Sequence, residues 1–391
     1  MSAYVGLSTI LHHALADYAA AHPLSGPQWR ACRHIQQCRS PALGGTQWHC
    51  DTCGTPVEIY HACRDRHCPR CQRRATEEWC AAQRGHLLPV RYHHLVFTLP
   101  HTLNAWVRHA PRTVYGALFE CAWHTLATFA QDPRRLGGQL GAIAVLHTWT
   151  QTLTQHIHLH LLVPGGAVDK AGGWHPSRAD YLFPVRALAR RFRGRMVSQL
   201  RAAYRAGTLG EQDPGEVNAR LDAVMAQDWV VYSKPVLTRP ATIIDYLGRY
   251  THRIALSDAR IEGIAHGTVR LGYTDRQPGH RHRVMELSEA ELIARMLKHI
   301  LPPGFQRVRH YGFLANACRV RRLAQIRTAL AAPAPTPDPD ADAERPDVAP
   351  ICPSCHHGHL HPSALIAPRR GVDLPAPTPP GEADRERRRP A

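Results

Sequence analysis

The sequence predicts an α+β chain in which antiparallel strands and helices follow a small cysteine-rich module organised by metal. Three observations predict it. Two apolar runs, at 142–150 and 157–163, are separated by a short polar turn and closed by Pro164-Gly165-Gly166, the pattern of an antiparallel hairpin. Segments 103–130 and 185–205 carry helical patterning. Eight of the 12 cysteines fall between Cys32 and Cys80.

Residues 1 to about 35 place Leu7, Ile10, Leu11, Leu15 and Tyr18 at helical spacing. Segment 36–75 is punctuated by Gly and Cys and has little periodicity, so a metal is expected to order it. Residues 92–99 read as a strand ended by Pro100, and 103–130 as a helix. In the helix expected at 185–205, Arg186, Arg190, Arg193, Arg201 and Arg205 recur at helical spacing. Such a row is either a solvated face or one that meets phosphates. A further helix is expected at 242–255, a strand at 268–273 and a helix at 289–299. Residues 331–350 repeat Ala, Pro and Asp, cannot bury a core and read as a disordered linker. Beyond it stand Cys352-Pro-Ser-Cys355 and a basic, Pro-rich tail. The expected divisions are therefore 1–85 (helical and zinc-binding), 86–265 (the strand-bearing domain), 266–328 (a helical C-terminal part) and 329–391 (linker and tail).

Composition narrows the partners. Lys and Arg number 48 against 31 Asp and Glu, a net charge of +17, which favours a polyanion such as nucleic acid. No run approaches the ~18 apolar residues that span a bilayer. The first twenty residues lack the pattern of a signal peptide, so the chain is expected to stay in the cytoplasm with its thiols reduced. Clustered cysteines then read as metal ligands. Cys50-x2-Cys53 and Cys68-x2-Cys71 form two knuckles of paired thiolates, and together they would complete a tetrahedral sulfur site suited to zinc. Cys38 and Cys63, with His49, His61 and His67 nearby, either substitute for one of the four or hold a second ion. Cys352 and Cys355 make half a site, which His356, His357, His359 or His361 could complete.

His156-Ile-His158-Leu-His160 alternates, so in a strand its three imidazoles share one face. Two imidazoles at that spacing can converge on one ion, and a sulfur-free site accepts Mg, Mn or Zn. His147 on the preceding strand joins them in only one of two hairpin registers. Tyr246 and Tyr250 stand at i and i+4, on one face if helical, with Arg249 and Arg253 as a second such pair. A phenol with a pKa of about 10 needs a cation and a polarised phosphate to act as a nucleophile. Both tyrosines could equally be core.

These pieces together resemble the rolling-circle transposases of bacterial insertion sequences, the two-tyrosine His-hydrophobe-His (HUH) class of the insertion-sequence ninety-one type. The resemblance runs through most of residues 30–320. It is carried by Cys38-Arg39, Leu43-Gly44-Gly45, Cys50-Asp-Thr-Cys53-Gly54, and the stretch from Ala62 to Gln72. It continues with Phe97-Thr-Leu-Pro100, His156-Ile-His158-Leu-His160 with Val163-Pro-Gly-Gly166, Tyr246-Leu-Gly-Arg-Tyr250-Thr-His-Arg253, and Leu301-Pro-Pro-Gly-Phe305. Thr46 and Ile157 stand where the family usually has His and Pro. The resemblance implies an HUH endonuclease-like antiparallel sheet flanked by helices and preceded by the zinc module. It implies that His158 and His160 hold Mg or Mn, and that Tyr246 or Tyr250 attacks a phosphate to leave a 5′-phosphotyrosine. The implied partner is DNA, as single-stranded element ends and target, in a bacterial cytoplasm, with association to the nucleoid when bound. Two other readings share part of the pattern: a zinc-dependent DNA-binding regulator without catalysis, and a metal-dependent phosphodiester hydrolase in which water attacks.

Overall fold

A computed structural model describes residues 6–178, 180–210, 213–236, 244, 248, 255–275, 281–331 and 349–369. The chain opens with two helices, α1 (Leu7–Ala21) and α2 (Gly26–Gln37), where the sequence suggested one. The break falls at Pro23 to Pro27, where Ser25 caps α2 and Gln28 reaches back to the Ser25 amide at 2.9 Å. Two short strands follow, β1 (Gly45–Cys50) and β2 (Pro56–Tyr60), and then α3 (Pro69–Arg84). After β3 (Tyr92–Thr98) come α4 (Asn104–His109) and α5 (Pro111–Gln131). They divide the expected 103–130 helix at Pro111, which lacks an amide donor and so begins a helix more readily than it continues one.

The predicted hairpin is β4 (Gly141–Trp149) and β5 (Gln155–Pro164). A small ribbon, β6 (Gly166–Val168) with β7 (Trp174–Pro176), leads to α6 (Val185–Arg205), α7 (Pro214–Ala226) and β8 (Val231–Pro235). A meander of β9 (Ile261–Ala265), β10 (Thr268–Thr274) and β11 (His282–Ser288) precedes α8 (Glu289–Leu297). The described chain ends with β12 (Val308–Gly312), α9 (Arg319–Ala329) and β13 (Leu360–Ile366).

The central sheet has the order β12-β4-β5-β3-β8 and is antiparallel throughout. β5 is paired on both sides, and its odd-numbered residues Ile157, Leu159, Leu161 and Val163 are fully buried. They pack with Phe97, Phe119 and Phe192 in one apolar layer contributed by β3, α5 and α6. The opposite sheet face carries Ile143, Val145 and Leu162, which cluster with Cys80 of α3, Ile244, and Leu323 and Ile326 of α9. The two faces are thus divided by side-chain alternation alone: aliphatic packing on one, histidines and a second small core on the other.

The chain's ends do not lie apart from this body. Leu7, Ile10, Leu11 and Leu15 of α1 share a core with Leu271 of β10 and with Leu292, Ile293 and Met296 of α8. β12 adds an edge strand to the central sheet, so the part after residue 266 supplies β11 and β12 besides the strand expected at 268–273. Beyond the linker expected at 331–350, the tail that carries Cys352 and Cys355 contributes a strand. β13 pairs antiparallel with β1, from Gly45 opposite Ile366 to Cys50 opposite Leu360, and completes a sheet of order β13-β1-β2. A two-stranded ribbon is marginal in water, so β1 and β2 gain from a third strand. Residues 332–348 and 370–391 lie outside the described residues. So does most of the helix expected at 242–255, of which Ile244 and Gly248 are helical. No described helix is long and apolar enough to cross a membrane.

Gly312 ends β12 with φ +60°, and a Cβ there would overlap the Leu140 carbonyl oxygen. Gly312→Ala should therefore cost on the order of 1–3 kcal/mol, from left-handed strain plus displacement of Leu140. A denaturant or thermal melt against the parent chain checks this; an unchanged midpoint would contradict it.

Candidate functional site

β4 and β5 pair in the register that sets His147 opposite His158 and Val145 opposite His160. Directly opposed residues share a face, so this is the register that brings His147 to the His-x-His strand. The ligand nitrogens of His147, His158 and His160 all lie within 4.8 Å of one another, and all three side chains are buried. The ring centroids are 4.2 Å apart for His147 and His160 and 4.8 Å for His158 and His160.

Neighbouring groups fix the rings. His158 Nδ1 donates to the His156 carbonyl at 3.0 Å, which places the ring's lone pair on Nε2. His160 Nδ1 lies 2.8 Å from His94 Nε2, with the two rings stacked. Burial pushes His94 down to about 4, so it is neutral near pH 7 and suited to accept from His160. Trp149 stacks on His147 at 5.0 Å. His156 shares the face but turns to His101, at 2.9 Å between Nδ1 and Nε2, and does not join the trio. Three imidazoles converging from two adjacent strands fit a divalent ion. The supporting role of His94 was not foreseen; it follows from β3 pairing with β5, which a local pattern does not reveal.

The cysteines partition differently from the sequence expectation. The two knuckles do not complete one site. Cys68 and Cys71 join Cys38 and Cys63, while Cys50 and Cys53 join Cys352 and Cys355. The cause is the fold: β1 ends at Cys50 beside β13, whereas Cys68 caps α3 next to the end of α2, where Cys38 stands. In the first group the Cys38 and Cys63 sulfurs lie 3.5 and 3.6 Å from that of Cys71. Cys38-Arg39 and Cys63-Arg64 repeat one local geometry, each Arg having a positive φ of 57° and 55°. The dipeptide alone is no signal for this, since Cys32-Arg33 and Cys318-Arg319 repeat it outside either cysteine group.

Between these ligands, Arg66 and His67 tie the module to the rest of the chain. The Arg66 guanidinium donates to the carbonyls of Leu301, Pro302 and Phe305 at 3.2, 2.5 and 2.5 Å. His67 Nε2 accepts from the Leu301 amide at 3.2 Å while its Nδ1 donates to Asp65 at 3.1 Å, so His67 is a brace and not a ligand. The segment it grips leads into β12, which pairs with the His147 strand.

Tyr246 and Tyr250 lie outside the described residues. Two positions before each, Ile244 and Gly248 face α3: the Cys80 thiol meets the Ile244 carbonyl at 3.6 Å, and a Cβ on Gly248 would overlap the Cys80 sulfur. On α6 the arginine row divides. Arg193 and Arg201 bind the Gln227 carbonyl and Asp222, while Arg190, Arg191 and Arg195 line an open depression with His124.

A buried histidine trio on the central sheet stands in one chain with two four-cysteine clusters, and comparison with known proteins gives the family. Residues 10–99 match the family described as "Transposase zinc-binding domain", and residues 141–321 the family described as "Putative transposase". The chain is 41% identical to the "Putative transposase y4qJ" of Sinorhizobium fredii, over 88% of this chain and 91% of that one. It is 31% identical to the transposase for insertion sequence element IS801 of Pseudomonas savastanoi pv. phaseolicola, over 75% of this chain and 72% of that one. The chain belongs to the IS91-type transposases, with an N-terminal zinc-binding domain. A solved conjugative relaxase, TrwC in complex with oriT DNA and metal-bound, aligns over 57% of this chain and 93% of that chain at 11% identity, with a TM-score of 0.25.

Proposed function

We propose that this transposase cuts and rejoins single DNA strands through a covalent tyrosine intermediate, at a centre formed by His147, His158 and His160 with Tyr246 and Tyr250. The supporting observation is one of placement. Ile244, two residues before Tyr246, clusters with Ile143, Val145 and Leu162 on the sheet face that carries the three histidines.

His147, His158 and His160 would hold a divalent ion, which when bound would supply positive charge toward the scissile phosphate. The protein's groups do the rest. His94 and the His156 carbonyl hold His160 and His158 in the orientation that presents Nε2. One tyrosine oxygen bonds to phosphorus as the bond to the 3′ oxygen breaks. The phenol proton leaves the tyrosine and a proton reaches the departing 3′ oxygen, giving a 5′-phosphotyrosine and a 3′-OH. That bond conserves the energy of the phosphodiester, so rejoining needs no external source. The second tyrosine allows a second transfer without water. Affinity for the strand comes mainly from the +17 net charge and should fall steeply with salt.

Incubation of the chain with single-stranded element-end DNA and Mg or Mn, followed by a denaturing gel, tests this reading. A protein–DNA adduct supports it. Cleaved DNA with no adduct identifies water as the nucleophile, and binding without cleavage identifies a regulator. The donor set adds a quantitative expectation. The trio holds no carboxylate among the described residues, and imidazole favours Mn over the harder Mg. Half-maximal cleavage should need about tenfold less Mn than Mg; equal requirements would place an oxygen-rich ligand set at the centre instead.

A further inference from the structure

We propose that Cys50, Cys53, Cys352 and Cys355 hold a second zinc ion, which fastens the C-terminal segment 349–369 onto the N-terminal module. The four sulfurs lie within 4.8 Å of one another. Cys50 and Cys355 are 3.7 Å apart, and Cys53 and Cys352 are 3.8 Å apart. A tetrahedral ion with bonds of about 2.3 Å to sulfur requires separations of about 3.8 Å, far beyond the roughly 2.05 Å of a disulfide.

The two knuckles are built alike although some 300 residues separate them. In each, the amide two residues after the first cysteine points at its sulfur at 3.4 Å: Thr52 to Cys50, and Ser354 to Cys352. In each, the amide four residues on bonds the first cysteine's carbonyl, Gly54 to Cys50 at 3.1 Å and His356 to Cys352 at 3.0 Å. That fifth residue has φ +68° in one and +59° in the other. His356, a non-glycine residue, adopts the left-handed conformation that Gly54 adopts without cost. The second knuckle is thus shaped for a metal and is not a chance pair of thiols.

Close approach is built in as well. A Cβ on Gly358 would overlap the Cys50 sulfur. Asp51 accepts from the His359 amide at 2.8 Å, and the Asp51 amide donates to the His359 carbonyl at 3.1 Å. Apolar burial is too small to hold this arrangement. The cluster around it contains Cys50, Cys352 and Leu360, with Trp48, Val57 and Cys355 partly buried, while Leu365 and Ile351 are 86% and 61% exposed. So small a core cannot offset the ordering of 21 residues at about 1 kcal/mol or more each. Metal binding supplies folding free energy where a core does not. β13 is therefore conditional on the ion, and loss of the ion would expose the edge of β1.

The test uses the full-length chain, with zinc counted by elemental analysis and backbone protection followed by hydrogen exchange. The parent chain should carry two zinc ions. The variant with Cys352→Ser and Cys355→Ser should carry one and lose exchange protection in β13, while β5 and α3 stay protected. The variant with Cys68→Ser and Cys71→Ser should lose the other ion. Stepwise chelation of the parent, which needs no variant to fold, should release β13 protection together with one equivalent of zinc. One zinc in the parent, two in the Cys352/Cys355 variant, or β13 protection that survives removal of all zinc would each overturn the proposal.

Discussion

Alanine at His158 or at His160 should reduce strand cleavage by on the order of a thousandfold or more, beyond the 10–100-fold typical of removing a group that merely supports a ligand. DNA binding should stay within about twofold, because phosphate contacts made by lysine and arginine set affinity. Three comparisons make the expectation specific. His147→Ala should behave like the other two, since its ring lies as close to His160 as His158 does. His94→Ala should weaken metal affinity by about 10–100-fold yet be rescued by excess Mn, because His94 only orients His160. His156→Ala should cut at nearly the parent rate, since His156 is engaged with His101. Cleavage assays across a metal titration check all four. Full activity in the His158 or His160 variant would place the centre elsewhere, and inactivity in the His156 variant would show that the trio is misassigned.

The second large effect concerns the tyrosines. Phenylalanine keeps the ring and removes only the hydroxyl, so a packing pair would tolerate it. If Tyr246 and Tyr250 are the nucleophiles, the double change to Phe should eliminate the covalent adduct with the melting temperature and DNA affinity unchanged. Each single variant should retain at most partial cleavage and fail to complete transposition, because two sequential transfers use two hydroxyls. Adduct yield on single-stranded DNA and transposition frequency in cells are the two measurements. An adduct from the double variant would name another residue as the nucleophile.

What the sequence made legible was mostly local. The alternation at 156–160 gave the strand and the shared face, because a period of two is a property of the backbone. The 185–205 helix falls at the bounds its pattern indicated. The helix break at Pro111 was equally local and could have been read from the proline. What was not legible depended on partners distant in the chain. Whether His147 joined the trio turned on a one-residue register. The role of His94 depended on β3 lying beside β5. The pairing of Cys50 and Cys53 with Cys352 and Cys355 depended on β13 returning to β1 after some 300 residues. Spacing favoured the nearer knuckle at Cys68 and Cys71, but Cys38 at the end of α2 and Cys63 in the segment before α3 stand beside those sulfurs instead. The strand at 360–366 was not foreseen, because the basic, Pro-rich tail beyond 350 carries no alternating apolar pattern.

The central claim is that a tyrosine of the 246–250 pair carries the cut strand beside the histidine trio. The most direct measurement is peptide mapping by mass spectrometry of the adduct formed on single-stranded element-end DNA with Mn, after nuclease trimming. The account predicts a nucleotide phosphate on Tyr246 or Tyr250, linked through the 5′ phosphate. A modified residue elsewhere, or a 3′-linked nucleotide, would contradict it.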